Sequence, residues 1–234
     1  MSSAQSKLMI YAAVTLIIGL IIGGIVGYFA GTGAVKTVTS TITKAVTVTV
    51  TKTITTTAVP TPTGEIILTV RGKILKTNKD GTFIFDLDML KSLGTLTYKE
   101  YDPWFKKELE YTGVPLVKVL EFVGVAKDAT KVTVMAKDKY KVVFNLKALM
   151  ESEVGRKILL AFMVNGKPLR PVFKFEIDAG GPLRLAYPYL KGQEDVKKEV
   201  EEKLLIGVWD GKGKALGKKF APAHEWMVCE IIVE

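Results

Sequence analysis

Between Lys7 and Lys36 the chain runs for 28 residues, Leu8–Val35, without a charged side chain. This is the feature that most narrows what the chain can fold into. A bilayer core is spanned by about 20 apolar residues, and a helix that is apolar all round has no place on the surface of a globular domain. The stretch is expected to form a transmembrane helix, with residues 1–7 as a short cytoplasmic N-terminus. A cleaved signal peptide is the rival reading. Its apolar region is usually about 7–15 residues and ends in a small-residue cleavage site, whereas this run is longer and continues through Gly31-Thr32-Gly33. Gly19, Gly23, Gly27 and Gly31 recur every fourth residue. On a helix they form a groove that lets a second backbone approach closely, which suits self-association or pairing with another membrane subunit. The alternative is that glycine is simply common in membrane helices.

Residues 36–63 alternate Thr with Val or Ile and end at Pro60 and Pro62. The period of two is strand-like, but no turn residue offers a partner strand. About 26 residues reach on the order of 85 Å when extended at roughly 3.3 Å each. A Thr-rich, Pro-terminated tract beside a membrane span reads as an extracytoplasmic stalk, a site for O-glycosylation, and it resembles the stalks of archaeal cell-surface proteins. A β-rich oligomerisation segment is the alternative. Charge next to the span is nearly balanced and leans towards the C-terminal flank. The outward placement of the stalk and C-terminal domain on a single-pass chain therefore rests on composition.

The net charge of +9 arises unevenly. No Asp or Glu precedes Glu65, while Lys7, Lys36, Lys44 and Lys52 do. Removing those four from 33 basic residues leaves 29 against 24 acidic ones. That mild excess, with no basic stripe interleaved with aromatics, argues against nucleic-acid binding. The single cysteine, Cys229, excludes an intramolecular disulfide and a multi-Cys metal site. The single histidine, His224, excludes a His-cluster metal centre. Asn and Gln are scarce beside Lys and Glu, the bias of proteins that work hot.

The domain at 64–234 is organised around Tyr111–Val125, YTGVPLVKVLEFVGV. Its pattern predicts a turn, then a helix with Pro115 in the first helical position. Leu116, Val119, Leu120 and Val123 supply one apolar face, and Gly124 supplies a left-handed stop. Strands are expected at Glu65–Leu75, Thr82–Phe85, Thr95–Tyr101, Lys131–Ala136, Tyr140–Phe144, Ile158–Val164, Leu183–Tyr187, Ile206–Trp209 and Trp226–Val233. Asn165-Gly166 and Asp210-Gly211 are hairpin signals. Short helices are expected at Leu87–Leu93 behind the N-cap Asp86, at Leu146–Met150 and at Asp195–Leu205. Strands and short helices in no regular alternation imply an α+β fold. Tyr98, Tyr101, Trp104, Phe105 and Tyr111 suit either a core or a pocket wall.

Four segments in order, YTGVPLVKVLEFVGV, VTVMAKDKYKVVFNLKAL, LLAFMVNGKPL and GGPLRLAYP, resemble the molybdopterin-binding domain of the sulfite oxidase family. The likeness reaches upstream to FDLDMLKSL and downstream to EWMVCEIIV, and it is strongest to small stand-alone members exported across the membrane. It implies a mixed β domain with short helices. In family members that are enzymes it also implies a molybdenum–pterin cofactor, a cysteine thiolate on the metal, and basic residues on the pterin phosphate. The thiolate is expected before the opening helix, yet Lys91–Tyr111 contains no cysteine. Cys229 sits in an apolar alternating context with Met227 and Ile231 and is expected in the core. No catalytic or metal-ligating residue is therefore assigned. The candidate cofactor pocket that the resemblance leaves is Tyr140, Arg184, Tyr187 and Trp226. Arg184 suits bidentate anion binding or a strand-end salt bridge, and the three aromatics suit a core equally well. Tyr189–Glu225 departs from the family's compact connection with a charged helix and a Lys/Gly hairpin. The resulting expectation is a membrane-anchored ligand- or partner-binding module of this fold. The alternatives are a molybdopterin-dependent oxidoreductase or redox accessory subunit, and a structural cell-surface subunit.

Overall fold

The computed structural model describes residues 59–234. The expected transmembrane helix at 8–35, its glycines and most of the stalk lie outside the described residues. Among the described residues no helix is long and apolar enough to cross a membrane.

Strands dominate, and the helices are short. β1 (Leu68–Gly72) and β2 (Phe83–Phe85) pair antiparallel, and α1 (Leu87–Ser92) follows behind Asp86, whose carboxylate accepts from the Met89 amide at 2.8 Å. β3 (Leu96–Asp102) and β4 (Lys107–Pro115) form a hairpin that leads into α2 (Leu116–Val123). β5 (Lys131–Ala136) and β6 (Lys141–Asn145) form the next hairpin, followed by α3 (Leu146–Glu151). β7 (Leu159–Val164), β8 (Lys167–Pro168) and β9 (Arg184–Ala186) come next. α4 (Glu194–Glu199) runs on as a π-helical turn, Val200–Leu204. β10 (Leu205–Trp209), β11 (Ala215–Gly217) and β12 (Val228–Val233) complete the chain.

The strands form two sheets. A seven-stranded sheet has the order β11-β10-β6-β5-β12-β1-β2, with only β1 and β12 parallel. A five-stranded sheet has the order β3-β4-β7-β8, with β9 pairing the other end of β7. The second sheet is covered on both faces, and this explains the unbroken apolar run of β7. Leu160 and Phe162 enter the main core, whereas Leu159, Ala161 and Val164 join a smaller cluster with Leu109, Tyr111 and Leu169.

α2 buries Leu116, Val119, Leu120 and Val123 completely in the main core and leaves Lys118 and Glu121 exposed. Gly124 ends it at φ +70°. Its entry differs from the expectation. Tyr111–Pro115 is the end of β4 rather than a turn, and Pro115 caps the helix rather than opening it. The glycine at 113 serves strand packing, since a Cβ there would lie 2.5 Å from the Leu160 carbonyl oxygen. Cys229 also differs: it is half-buried rather than in the core. A register shift between Val228 and Glu230 breaks the alternation, so Val228, Ile231 and Val233 point inward.

Leu120→Ala should destabilise the domain by about 2–5 kcal/mol, because the truncated site is enclosed and cannot collapse fully. Urea unfolding followed by circular dichroism measures this. A loss below about 1 kcal/mol would show that α2 is not locked into the core.

Candidate functional site

The site is assembled from β3, the turn after it, the loop before β9, and the segment before β12. On β3 two acidic side chains, Glu100 and Asp102, are buried. Asp102 and Pro103 set the turn that follows. One carboxylate oxygen of Asp102 accepts from the amides of Trp104 (2.8 Å) and Phe105 (3.0 Å), a local side-chain cap of the kind Asp favours. The turn thereby projects two aromatic rings towards the cleft.

The other Asp102 oxygen accepts from the Tyr111 hydroxyl at 2.7 Å, and that hydroxyl oxygen accepts from Arg184 Nη1 at 2.9 Å. Arg184 Nη2 donates to the Ala179 carbonyl at 2.6 Å, while its Nε has no partner. The guanidinium, 1% exposed, stacks under Trp226 with its central carbon 4.1 Å from the ring centroid. Arg184 is thus enclosed. It makes no salt bridge at the strand end and offers no open fork to an anion.

Gly180-Gly181 explain how Trp226 reaches this position. A Cβ on Gly180, at φ +75°, would lie 2.8 Å from the indole, and one on Gly181 would lie 2.4 Å from the Leu169 carbonyl oxygen. The Gly180 carbonyl also accepts from the Met227 amide. Upstream, Arg170 clamps Glu176 and Asp178 and closes the loop, whose tip displays Phe173 and Phe175, 77% and 69% exposed. Phe105, Phe175 and Trp226 lie in near-parallel planes with centroids 4.8–6.1 Å apart.

A short 3₁₀ turn, Ala221–Ala223, leads to His224 and Glu225. His224 is buried and satisfied. Its Nδ1 faces the Phe220 carbonyl at 3.0 Å, which fixes the proton there, and its Nε2 faces Glu100. The second Glu100 oxygen accepts from the Tyr187 amide at 2.9 Å. Burial raises the Glu100 pKa above the usual carboxylate range. Burial pulls His224 down, but the Glu100 carboxylate beside it more than reverses that, so its pKa is raised. Both shifts favour keeping a proton at the contact between Nε2 and the carboxyl.

Glu225 is different. It is 2% exposed, and neither carboxylate oxygen has a hydrogen-bond partner. The Ala136 amide, which opposes the shift, gives its N–H to the Tyr140 carbonyl at 3.0 Å. Burial drives the Glu225 pKa well above its ordinary value, and Asp138 pushes the same way. The indole Nε1 of Trp226 is likewise buried without a partner.

These groups line a cleft of about 360 Å³. Trp104, Phe173 and Phe175 form its rim, and Tyr140, Glu225 and Trp226 lie among its walls. Of the four candidate residues, Tyr140 and Trp226 line it, with the Tyr140 hydroxyl tied to the Pro222 carbonyl at 2.7 Å. Arg184 lies beneath Trp226. Tyr187 sits behind the cleft, fully buried, its hydroxyl on the Ala223 carbonyl and its ring 4.6 Å from the His224 ring. Sequence reasoning missed Glu100, Asp102 and Glu225. The alternation of Tyr98, Glu100 and Asp102 on one strand was a signal, but it reads equally as a solvent-facing edge.

Cys229 Sγ–H donates to the Met135 carbonyl at 3.7 Å on β5, away from the cleft. Among the described residues no group of three His, Cys, Asp or Glu side chains could hold a metal ion. A second groove, of about 670 Å³, includes Arg71, Lys139, Lys141 and Lys212 beside Asp210 and Glu234.

Residues 94–202 match the family model described as "Oxidoreductase molybdopterin binding domain". The sulfane dehydrogenase SoxCD of Paracoccus pantotrophus is similar in structure at 16% identity and a TM-score of 0.43, over 71% of this chain and 37% of that one. The chain therefore spans little more than a third of that protein chain's length. No curated protein matches the chain.

Glu225→Gln should change stability in a pH-dependent way. A carboxyl whose folded pKa is raised costs nothing below its unfolded value and costs more as pH climbs towards the folded one. Thermal melts of the wild type and Glu225→Gln should coincide near about pH 4, with the variant melting several degrees higher near about pH 8. A variant no more stable at the higher pH would mean that the carboxyl is paired in solution.

Proposed function

Since residues 94–202 carry the sulfite oxidase-type oxidoreductase molybdopterin-binding domain, we propose that the chain is a ligand-binding module of that fold, anchored to the membrane outside the cytoplasm and working without a molybdenum centre. The observation that carries this reading is the chemistry of the cleft. Molybdenum in this family is held by a soft thiolate, and a pterin phosphate calls for Arg or Lys donors. Among the described residues lining the cleft, no thiol, Lys or Arg is present, and two are the acidic Asp138 and Glu225. Arg184, the natural candidate for a phosphate, is committed to Tyr111, Ala179 and Trp226. These residues do not fit the cofactor, and no reaction step is routed through it.

What they do fit is a small molecule. A concave, largely aromatic cleft of this size with a few unpaired polar atoms is the usual form of a ligand site. The cations of the second groove are surface side chains, and Arg71 there is already paired with Glu230. The anchor is supported by the uncharged run Leu8–Val35, and its pairing face by Gly19, Gly23, Gly27 and Gly31.

Elemental analysis of the natively produced full chain should find molybdenum and tungsten far below one atom per chain and no extractable pterin. Stoichiometric metal with pterin would overturn the reading in favour of a molybdopterin-dependent oxidoreductase. The full chain should also stay with the membrane pellet through an alkaline carbonate wash, and a chain lacking residues 1–36 should be released. Release of the full chain by the same wash would remove the anchor.

A further inference from the structure

We propose that the cleft selects an organic cation, an ammonium group carried on a small apolar or aromatic body. The inference rests on the ligand-binding reading above and names its ligand class. Three features of the cleft combine to give it.

The first is the orphaned carboxyl. Enclosed as it is, with neither oxygen hydrogen-bonded, Glu225 is held neutral by burial in the cleft, and a donor that reaches it gives the carboxylate the partner it lacks. An ammonium group supplies that donor together with the opposite charge, the stronger form of hydrogen bond.

The second is the ring set. Trp104, Phe173 and Phe175 expose faces at the rim, with Tyr140 and Trp226 deeper in the wall. Aromatic faces attract cations through their quadrupole, and such cages are a recurring way to hold ammonium groups. The cleft already contains one example of this preference, since the Arg184 guanidinium lies on the Trp226 ring.

The third is the charge balance. The acidic residues lining the cleft are Asp138 and Glu225, with no Lys or Arg among the described lining residues. Arg184, behind the indole, is coupled through Tyr111 to Asp102, and His224 to Glu100. An anion entering here would meet Asp138 and find no Lys or Arg in the lining to pair with. A neutral apolar ligand would fill the space and leave the carboxyl without a partner. The volume of about 360 Å³ suits a body of one ring with a short chain.

Isothermal titration of the full chain in detergent with three near-isosteric probes tests this: 2-phenylethylammonium, 2-phenylethanol and 3-phenylpropionate. The ammonium should bind about tenfold or more tighter than the alcohol, a ratio typical of a hydrogen bond to a charged group, and the carboxylate should bind weakest. Glu225→Gln should bring the ammonium-to-alcohol ratio close to one. The exposed Phe175→Leu should weaken the ammonium about two- to fivefold more than the alcohol, the loss of one exposed cation–π contact. Saturable binding with the alcohol or carboxylate equal to or tighter than the ammonium would overturn the cation assignment and leave the binding-module reading in place. An unchanged ratio in Glu225→Gln would overturn it equally. Failure of all three probes to bind would also overturn it, while the metal and pterin analysis would still decide the module reading independently.

Discussion

The buried guanidinium of Arg184 is the interaction on which the arrangement of this site depends. A charge this enclosed needs donors engaged and an opposite charge within reach, and Arg184 has both of its terminal nitrogens bonded. Here that charge arrives indirectly, through the Tyr111 hydroxyl to Asp102. The relay joins β9 to β4 and β3, and the stack on Trp226 joins it to the segment before β12. The same Asp102 holds the turn that presents Trp104 and Phe105. One cation therefore fixes the five-stranded sheet, the aromatic turn and the indole wall relative to each other. Because the network is desolvated, removing any member would leave another unsatisfied, which costs more than the bond itself contributes.

Within that network Arg184 Nε and Trp226 Nε1 lack partners, but Glu225 stands further apart, because both oxygens of its carboxyl are unpaired and stability does not explain it. Every other buried acidic side chain in the region has a partner: Glu100 has His224 and the Tyr187 amide, and Asp102 has Tyr111 and two amides. A glutamine or an apolar residue at 225 would relieve the desolvation. Retaining a group whose ionisation opposes folding is the kind of local cost associated with a binding function. This is a physical reason to place the ligand's polar end at Glu225 rather than at the better-satisfied His224.

Much of the fold was legible in the sequence. The face of α2, the Asp86 cap, the β5–β6 pair and the Asn165-Gly166 turn follow from patterns local to a few residues, where period and turn chemistry decide the outcome. What was not legible depended on the partner strand. Gly113 reads as a turn residue until β7 is known to pass 2.5 Å from where its Cβ would stand. Cys229 reads as core until the register shift beside it is known. The site was legible only in part for the same reason. Tyr140 and Trp226 could be singled out because aromatics near family-like motifs attract attention. Glu100, Asp102 and Glu225 could not, since a charged residue on a short strand is ordinarily solvated, and only the covering layer turns it into a buried one.

The glycine pair at 180–181 links the family-like scaffold to the chemistry of this cleft. In the sequence it is part of GGPLRLAYP, a marker of resemblance to a domain that, as an enzyme, holds molybdenum and pterin. In the folded chain its role is steric. Gly180 leaves room for the Trp226 indole, and Gly181 lets the chain pass against Leu169. The motif therefore constrains packing between a loop and the segment before β12, whatever occupies the cleft beyond. Much of that segment's contribution to the cleft, from Leu216 through His224, Glu225 and Trp226, lies past residue 202, outside the stretch that matches the family model. The lining thus draws on both sides of that boundary, with Asp138 inside the matched stretch and Glu225 beyond it, so the match accounts for how the walls are held and for only part of their charge.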